Sequence, residues 1–199
     1  MRFSMKNRVF RLGIIGAVAM LGVVGIAAPA EAHVPVLLTD ANTVFTVDDL
    51  PLVLDGTTSI AFYGSTGRWQ TRAMRIELKA GDQFHAELLI PALAPETTLS
   101  PRRLPRMVIV SPQHQVTVLA NNERKAFFEP FTNTSYLTLG ETTTVAQSGI
   151  YDIVVVGVAP TRFVAVTGQV EKFSASLENA SVASLAQIQN WYRTPPQGY

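Results

Sequence analysis

Three histidines, His33, His85 and His114, are the side chains of this sequence best suited to hold a metal ion, and the first stands in an unusual place. The stretch Ala30-Glu31-Ala32-His33-Val34-Pro35 carries small residues at the −3 and −1 positions of an A-x-A export cleavage site, so cutting after Ala32 makes His33 the first residue. A free α-amine and an imidazole on one residue chelate copper(II), and a second histidine completes a T-shaped nitrogen set. His85 and His114 are the two partners on offer. The competing reading makes His33 only a polar residue compatible with the cleavage site. Calcium is the other candidate ion, because Asp40, Asp48, Asp49 and Asp55 crowd one stretch. No D-x-D-x-D-G loop organises them, so such an ion would draw its six to eight oxygens from separate strands. Without an ion they are turn-capping aspartates on a solvated edge.

Aromatic side chains supply a different chemistry. The run Phe127-Phe128-Glu129-Pro130-Phe131, with Tyr136 beyond it, reads either as a sugar-stacking platform or as a core-plugging crossover with Glu129 bonded to backbone amides, and the second is favoured. Trp69 and Trp191 read as packing anchors. Phe127, Phe128, Glu129, Phe131 and Trp191 are the residues marked for partner contact. Catalytic constellations are missing: Ser111 and Ser148 lack a G-x-S-x-G context, and no H-E-x-x-H occurs, so no enzymatic activity is expected.

Residues 1–32 read as a signal segment. Arg2, Lys6, Arg8 and Arg11 form its basic start, and an uncharged stretch runs from Leu12 to Pro29. Those residues would span about 27 Å as a helix, near the lower limit for crossing a bilayer, so a retained anchor contacting the membrane through residues 12–29 is the alternative to cleavage. Either way the charge asymmetry places everything after His33 outside the cytoplasm, in the periplasm or at the cell surface. Of the 199 residues, 16 are basic and 15 acidic; without the leader 12 basic residues face 14 acidic ones, a net −2. The basic character therefore belongs to the leader, and no polybasic patch points to nucleic acid. Cysteine is absent, which excludes disulfides, a thiol nucleophile, thiolate metal sites and a lipid-modified N-terminal cysteine.

The elements that must position these residues are strands almost throughout. In Arg72–Ala80, Met74, Ile76 and Leu78 alternate with Arg75, Glu77 and Lys79; after a Gly81-Asp82 turn, Phe84, Ala86, Leu88 and Ile90 point inward while His85 and Glu87 lie on the wet face. The pair reads as a β-hairpin. Pro91–Pro105 reads as an exposed loop. "RMVIVSP" lacks alternation and reads as a strand buried on both faces, followed by "HQVTVLA". Further strands are predicted at Ser135–Leu139, Thr142–Val145, Ile150–Val158 and Arg162–Val170. Near the C-terminus Val182, Leu185, Ile188 and Tyr192 share one helical face, and Pro195-Pro196 ends the helix. The expected fold is all-β: an antiparallel, jelly-roll-like β-sandwich with one C-terminal α-helix and an N-terminal hydrophobic signal or anchor helix. Its divisions are 1–32 leader, 33–173 sandwich, 174–193 helix and 194–199 tail.

Taken together, "AHVPVL", "SIAFYGS", "IELKAGDQFHAELLIP", "FFEPFTNTSYL", "AQSGIYDIVVVG", "VAVTGQVEKF" and "IQNWY" resemble, in order, uncharacterised secreted or membrane-anchored bacterial and archaeal proteins. Their sandwich is similar to the bacterial pre-peptidase C-terminal domain. In that domain a strand ending in Ala-Gly-Asp precedes a core strand, and a Gly-Thr-Tyr-Tyr-like strand lies near the end. Ala80-Gly81-Asp82 and Gly149-Ile150-Tyr151 occupy those places here. The resemblance implies a non-catalytic extracytoplasmic module, accessory or adhesive, contacting envelope proteins or polysaccharide and holding no cofactor. Alternatives are a copper-binding protein using His33 and a single-pass accessory subunit of a membrane complex.

Overall fold

A computed structural model describes residues 33–40, 42, 47–172 and 174–198. The leader, with the expected anchor at 12–29, lies outside them. Among the described residues no helix is long and apolar enough to cross a membrane. Among the described residues twelve strands form two six-stranded sheets. The first has the order β1 (Val34–Leu37), β3 (Ile60–Thr66), β11 (Thr161–Thr167), β5 (Gln83–Pro91), β9 (Thr134–Val145), β8 (Lys125–Glu129). The second has the order β12 (Leu177–Glu178), β2 (Leu52–Val53), β4 (Thr71–Leu78), β10 (Gly149–Val156), β6 (Arg106–Val110), β7 (Val116–Val118). A helix, α1 (Leu185–Arg193), follows.

The sheets share one core, as in a β-sandwich. Phe62, Leu88, Ile90 and Phe163 of the first sheet and Met74, Ile76, Met107 and Ile153 of the second are buried in a single apolar cluster. Phe84 and Tyr151 stack across it with ring centres 4.7 Å apart. The first sheet has a second covered face. Ala61, Tyr63, Leu89, Val164 and Val166 point away from the sandwich core and are buried with Ile188, Trp191 and Tyr192 of α1. Two-sided burial explains why every residue of β11 is buried and why its sequence shows no alternation.

Several expectations change in the structure. β4 and β5 do not form a hairpin: β4 pairs with β10 and β2, β5 with β11 and β9, and the turn between them carries the chain from one sheet to the other. Alternation identifies which face of a strand is buried, but it is the same whether the next strand lies beside it or across the core. The sheets are also not wholly antiparallel, because β1–β3 and β2–β4 pair in parallel. Each of these pairs is separated by one strand in the opposite sheet, so the chain re-enters its sheet running the same way. β6 is buried on one face only; Val108 and Val110 are half-exposed on the outer face of the second sheet. The helix begins at Leu185 because Ser184 and Gln187 form a capping box, each side chain satisfying the other's backbone amide. Val182 and Leu185 are consequently exposed, and Val182 instead bridges to Val36.

The two strands expected at 135–145 are one, β9, with a bulge opposite Leu88 and Leu89. Gly140 lies at that bulge, where a Cβ would come within 1.8 Å of the Ala120 carbonyl oxygen. Gly140→Ala is therefore expected to destabilise by about 1–3 kcal/mol or more, measured as a lowered urea midpoint. An unchanged midpoint would mean that the 119–124 link yields without cost.

The proline-rich segment is not simply an exposed loop. It buries Leu99, Leu104 and, completely, Glu96. Glu96 accepts from Arg162 Nε at 2.9 Å, from Nη2 at 2.6 Å and from the Arg162 amide at 2.8 Å. Arg162 also donates to the carbonyls of Ala94, Tyr192 and Thr194. One buried guanidinium thus ties β11, the proline-rich segment and the end of α1 together, with its donors met as burial of a charge demands.

Candidate functional site

α1 covers part of the outer face of the first sheet, and the uncovered part is a cleft at the start of β1. Strand geometry places its residues. On β5 the outward positions alternate through His85 and Glu87, and on β9 Thr143 and Glu141 lie directly opposite them. Phe127 and Glu129 share the outward face of β8, while His33 enters from the end of β1 beside Ser59. Gly168, Gln169 and Glu171 close the far side of an open space of about 300 Å³. A narrow crevice continues from it between His33, Tyr63, Phe127, Glu129 and Tyr136.

The electrostatics of this cleft are one-sided. Glu87, Glu129, Glu141 and Glu171 line the cleft and its crevice together with the two imidazoles, and among the described residues lining them there is no lysine or arginine. Lys125 stands in register with Thr138 at the β8 edge, outside that lining. Glu87 and Glu141 are direct cross-strand partners, an arrangement that costs stability between like charges. Glu87 accepts from Thr138 Oγ1 at 2.7 Å. Glu129 is buried and accepts from the Phe131 amide at 2.9 Å, as expected of a carboxylate bonded to backbone. Burial pushes the Tyr136 phenol up to about 12 and that of Tyr63 well above 10, so both remain protonated hydrogen-bonding groups.

His85 is buried, with Nδ1 2.9 Å from Thr143 Oγ1. Desolvation lowers its pKa below 6.5, and Glu141 opposes that shift. A histidine whose folded pKa is depressed binds fewer protons folded than unfolded, so its contribution to stability is present above about 6.5 and is lost as pH falls toward the lowered value. Urea midpoints measured downward from neutral pH are expected to fall more steeply for the native chain than for His85→Gln. Equal slopes would show that His85 titrates as it does unfolded.

The sequence-derived candidates separate. His33, His85, Phe127 and Glu129 meet in the cleft and its crevice. His114 does not; it occupies a left-handed turn (φ 60°) between β6 and β7 in the other sheet. Phe128 and Phe131 are 55% and 51% exposed, on β8 and on the turn after it. Trp191 is only 8% exposed, edge-on to Tyr63 at 5.0 Å, and donates from Nε1 to the Gly64 carbonyl at 3.2 Å. Trp69, expected as a packing anchor, is instead 68% exposed in the β3–β4 turn.

Among the described residues no three or more of His, Asp and Glu form a group that could hold a metal ion. His33 Nδ1, the atom that chelates together with an α-amine, lies 2.5 Å from Ser59 Oγ. The aspartates considered for calcium are dispersed: Asp40 pairs with Arg72, Asp55 with Lys172 and Thr57, and Asp48 and Asp49 lie in an exposed 3-10 turn. Lysine and threonine donors hold the Asp55 carboxyl down at about 2. Glu141 and Glu171 were missed from sequence; their only signal, position on a polar strand face or past a strand end, is shared with many solvated residues. No known family model matches the chain, and no curated protein matches it either.

Proposed function

We propose that this chain is an exported, non-catalytic binding module, a jelly-roll-like sandwich released from its leader before His33, which engages a basic segment of an envelope protein through the cleft at the start of β1. The observation that carries the reading is the opposition of Glu87 and Glu141 beside Glu129, Glu171 and two imidazoles, with no lysine or arginine among the described residues that line the cleft. Like charges directly opposite on neighbouring strands cost a fold stability, and a cationic segment bound between them would offset that cost and be steered in by the field. The resemblance to pre-peptidase C-terminal domains supports the same role. Titration of the exported protein with an oligolysine peptide tests it by calorimetry. Saturable, salt-sensitive binding that weakens in Glu87→Gln and Glu141→Gln supports the cleft; binding that ignores both changes overturns it.

A second reading has one observation in its favour: His33 and His85 line the same cleft. Cleavage before His33 would add an amine as third nitrogen, and turning the ring away from Ser59 would bring Nδ1 into a copper(II) chelate. The intact mass of the exported protein, followed by copper titration, decides it. A mature chain starting elsewhere ends the copper reading, because the chelating amine would not exist.

A further inference from the structure

At the opposite end of β1, about 13 Å from the cleft along the strand, a second open groove of about 430 Å³ is built from different material. Its walls are the end of β1, the β3–β4 turn and the end of α1 with the residues after it. Ser65, Gln70, Arg72, Gln187 and Asn190 line it with hydroxyl, amide and guanidinium groups. The Arg72 side chain is 6% exposed yet reaches the carboxylate of Asp40, itself almost wholly exposed on the groove's edge. The turn that forms one wall holds Trp69 between the lining residues Gly67 and Gln70.

Trp69 is unfavourably placed on two counts. Its ring is largely in water, and its backbone is left-handed (φ 61°), a conformation that bulky residues adopt at a cost of about 1–3 kcal/mol. Glycine would make this turn without either penalty. The turn is nevertheless rigid: Trp69 N–H donates to the Gly157 carbonyl at 2.8 Å, Gly157 N–H to that of Gln70 at 2.8 Å, and Gly67 N–H to Gln70 Oε1 at 2.8 Å. The Arg68 guanidinium lies over the indole, 5.6 Å from its centre. An exposed indole carried on the rigid turn that walls a groove of amides and a charged pair offers an apolar platform for the C–H face of a sugar ring near donors and acceptors for its hydroxyls.

We propose that this groove is a saccharide-binding site, with a sugar ring on Trp69 and its hydroxyls on Gln70, Asn190 and the Arg72–Asp40 pair. The site is separate from the acidic cleft, and its failure would leave the cleft reading untouched. The test titrates the exported protein with chitotetraose and with tetragalacturonate, following calorimetric heat and tryptophan emission. Saturable binding of either, with a change in emission, is expected to weaken about tenfold or more in Trp69→Ala. Trp69→Phe keeps a ring and is expected to recover most of that loss, with thermal midpoints of both variants near that of the native chain. Binding of the neutral sugar alone leaves Asp40 on Arg72, and binding of the acidic sugar alone assigns Arg72 to the carboxylate in its place; both support the site. No saturable binding of either sugar at millimolar concentration, or undiminished binding by Trp69→Ala, overturns it.

Discussion

Replacing Glu96 by alanine is expected to remove about 3–5 kcal/mol of stability, because it leaves the guanidinium of Arg162 buried without its carboxylate. The carboxylate meets Arg162 through both oxygens, and neither side chain is more than 1% exposed. With the guanidinium 1% exposed, the stranded charge would remain largely out of water. Urea unfolding measures the loss. Two further variants separate the ion pair from the packing around it. Arg162→Met alone should also destabilise, since it leaves the carbonyls of Ala94 and Tyr192 without this donor and Glu96 without its cation. Glu96→Leu combined with Arg162→Met removes both charges and is expected to recover a large part of either single loss. A Glu96→Ala chain as stable as the native one would show that the guanidinium reaches solvent and that this junction is looser than the geometry describes.

Trp191→Ala is expected to cost a similar amount, about 3–5 kcal/mol, through a cavity between α1 and the first sheet. The indole fills the space over Tyr63, and its N–H is the donor to the Gly64 carbonyl. Gly64 itself is closely packed from the other side, since a Cβ there would stand 2.6 Å from the Phe163 ring, so little backbone movement is available to close the hole. Trp191→Phe should lose less, keeping most of the apolar contact while leaving the carbonyl without its donor, for about 1–3 kcal/mol. Thermal or urea midpoints report both. A fold indifferent to Trp191→Ala would leave this tryptophan to the partner contact for which the sequence also marked it; strong destabilisation makes it the anchor of α1, the packing role read first from the sequence.

What the sequence made legible, and what it did not, follows from the range of the interactions involved. The inward faces of β4 and β5 were readable because alternation is local: Met74, Ile76, Leu78, Phe84, Ala86 and Leu88 all enter the core. The sheet to which each strand belongs was not, because the same alternation serves a hairpin and a sandwich crossing. The Glu96–Arg162 pair spans 66 positions and carries no spacing signal. Within the cleft, His33, His85, Phe127 and Glu129 were found by residue type, but Glu141 became significant only when β9 placed it across from Glu87. Trp69 was misread because a tryptophan in a strand-rich chain is usually buried, and nothing near it announces a left-handed turn.

The most direct measurement of the central claim is the position on the protein at which an oligolysine peptide perturbs backbone amide resonances. The cleft predicts shifts at 59, 85–87, 127, 141 and 168–171, lost together on raising salt and weakened in Glu141→Gln. Shifts gathered instead around Glu77 and Asp152 on the second sheet, or spread evenly over exposed carboxylates, would contradict it.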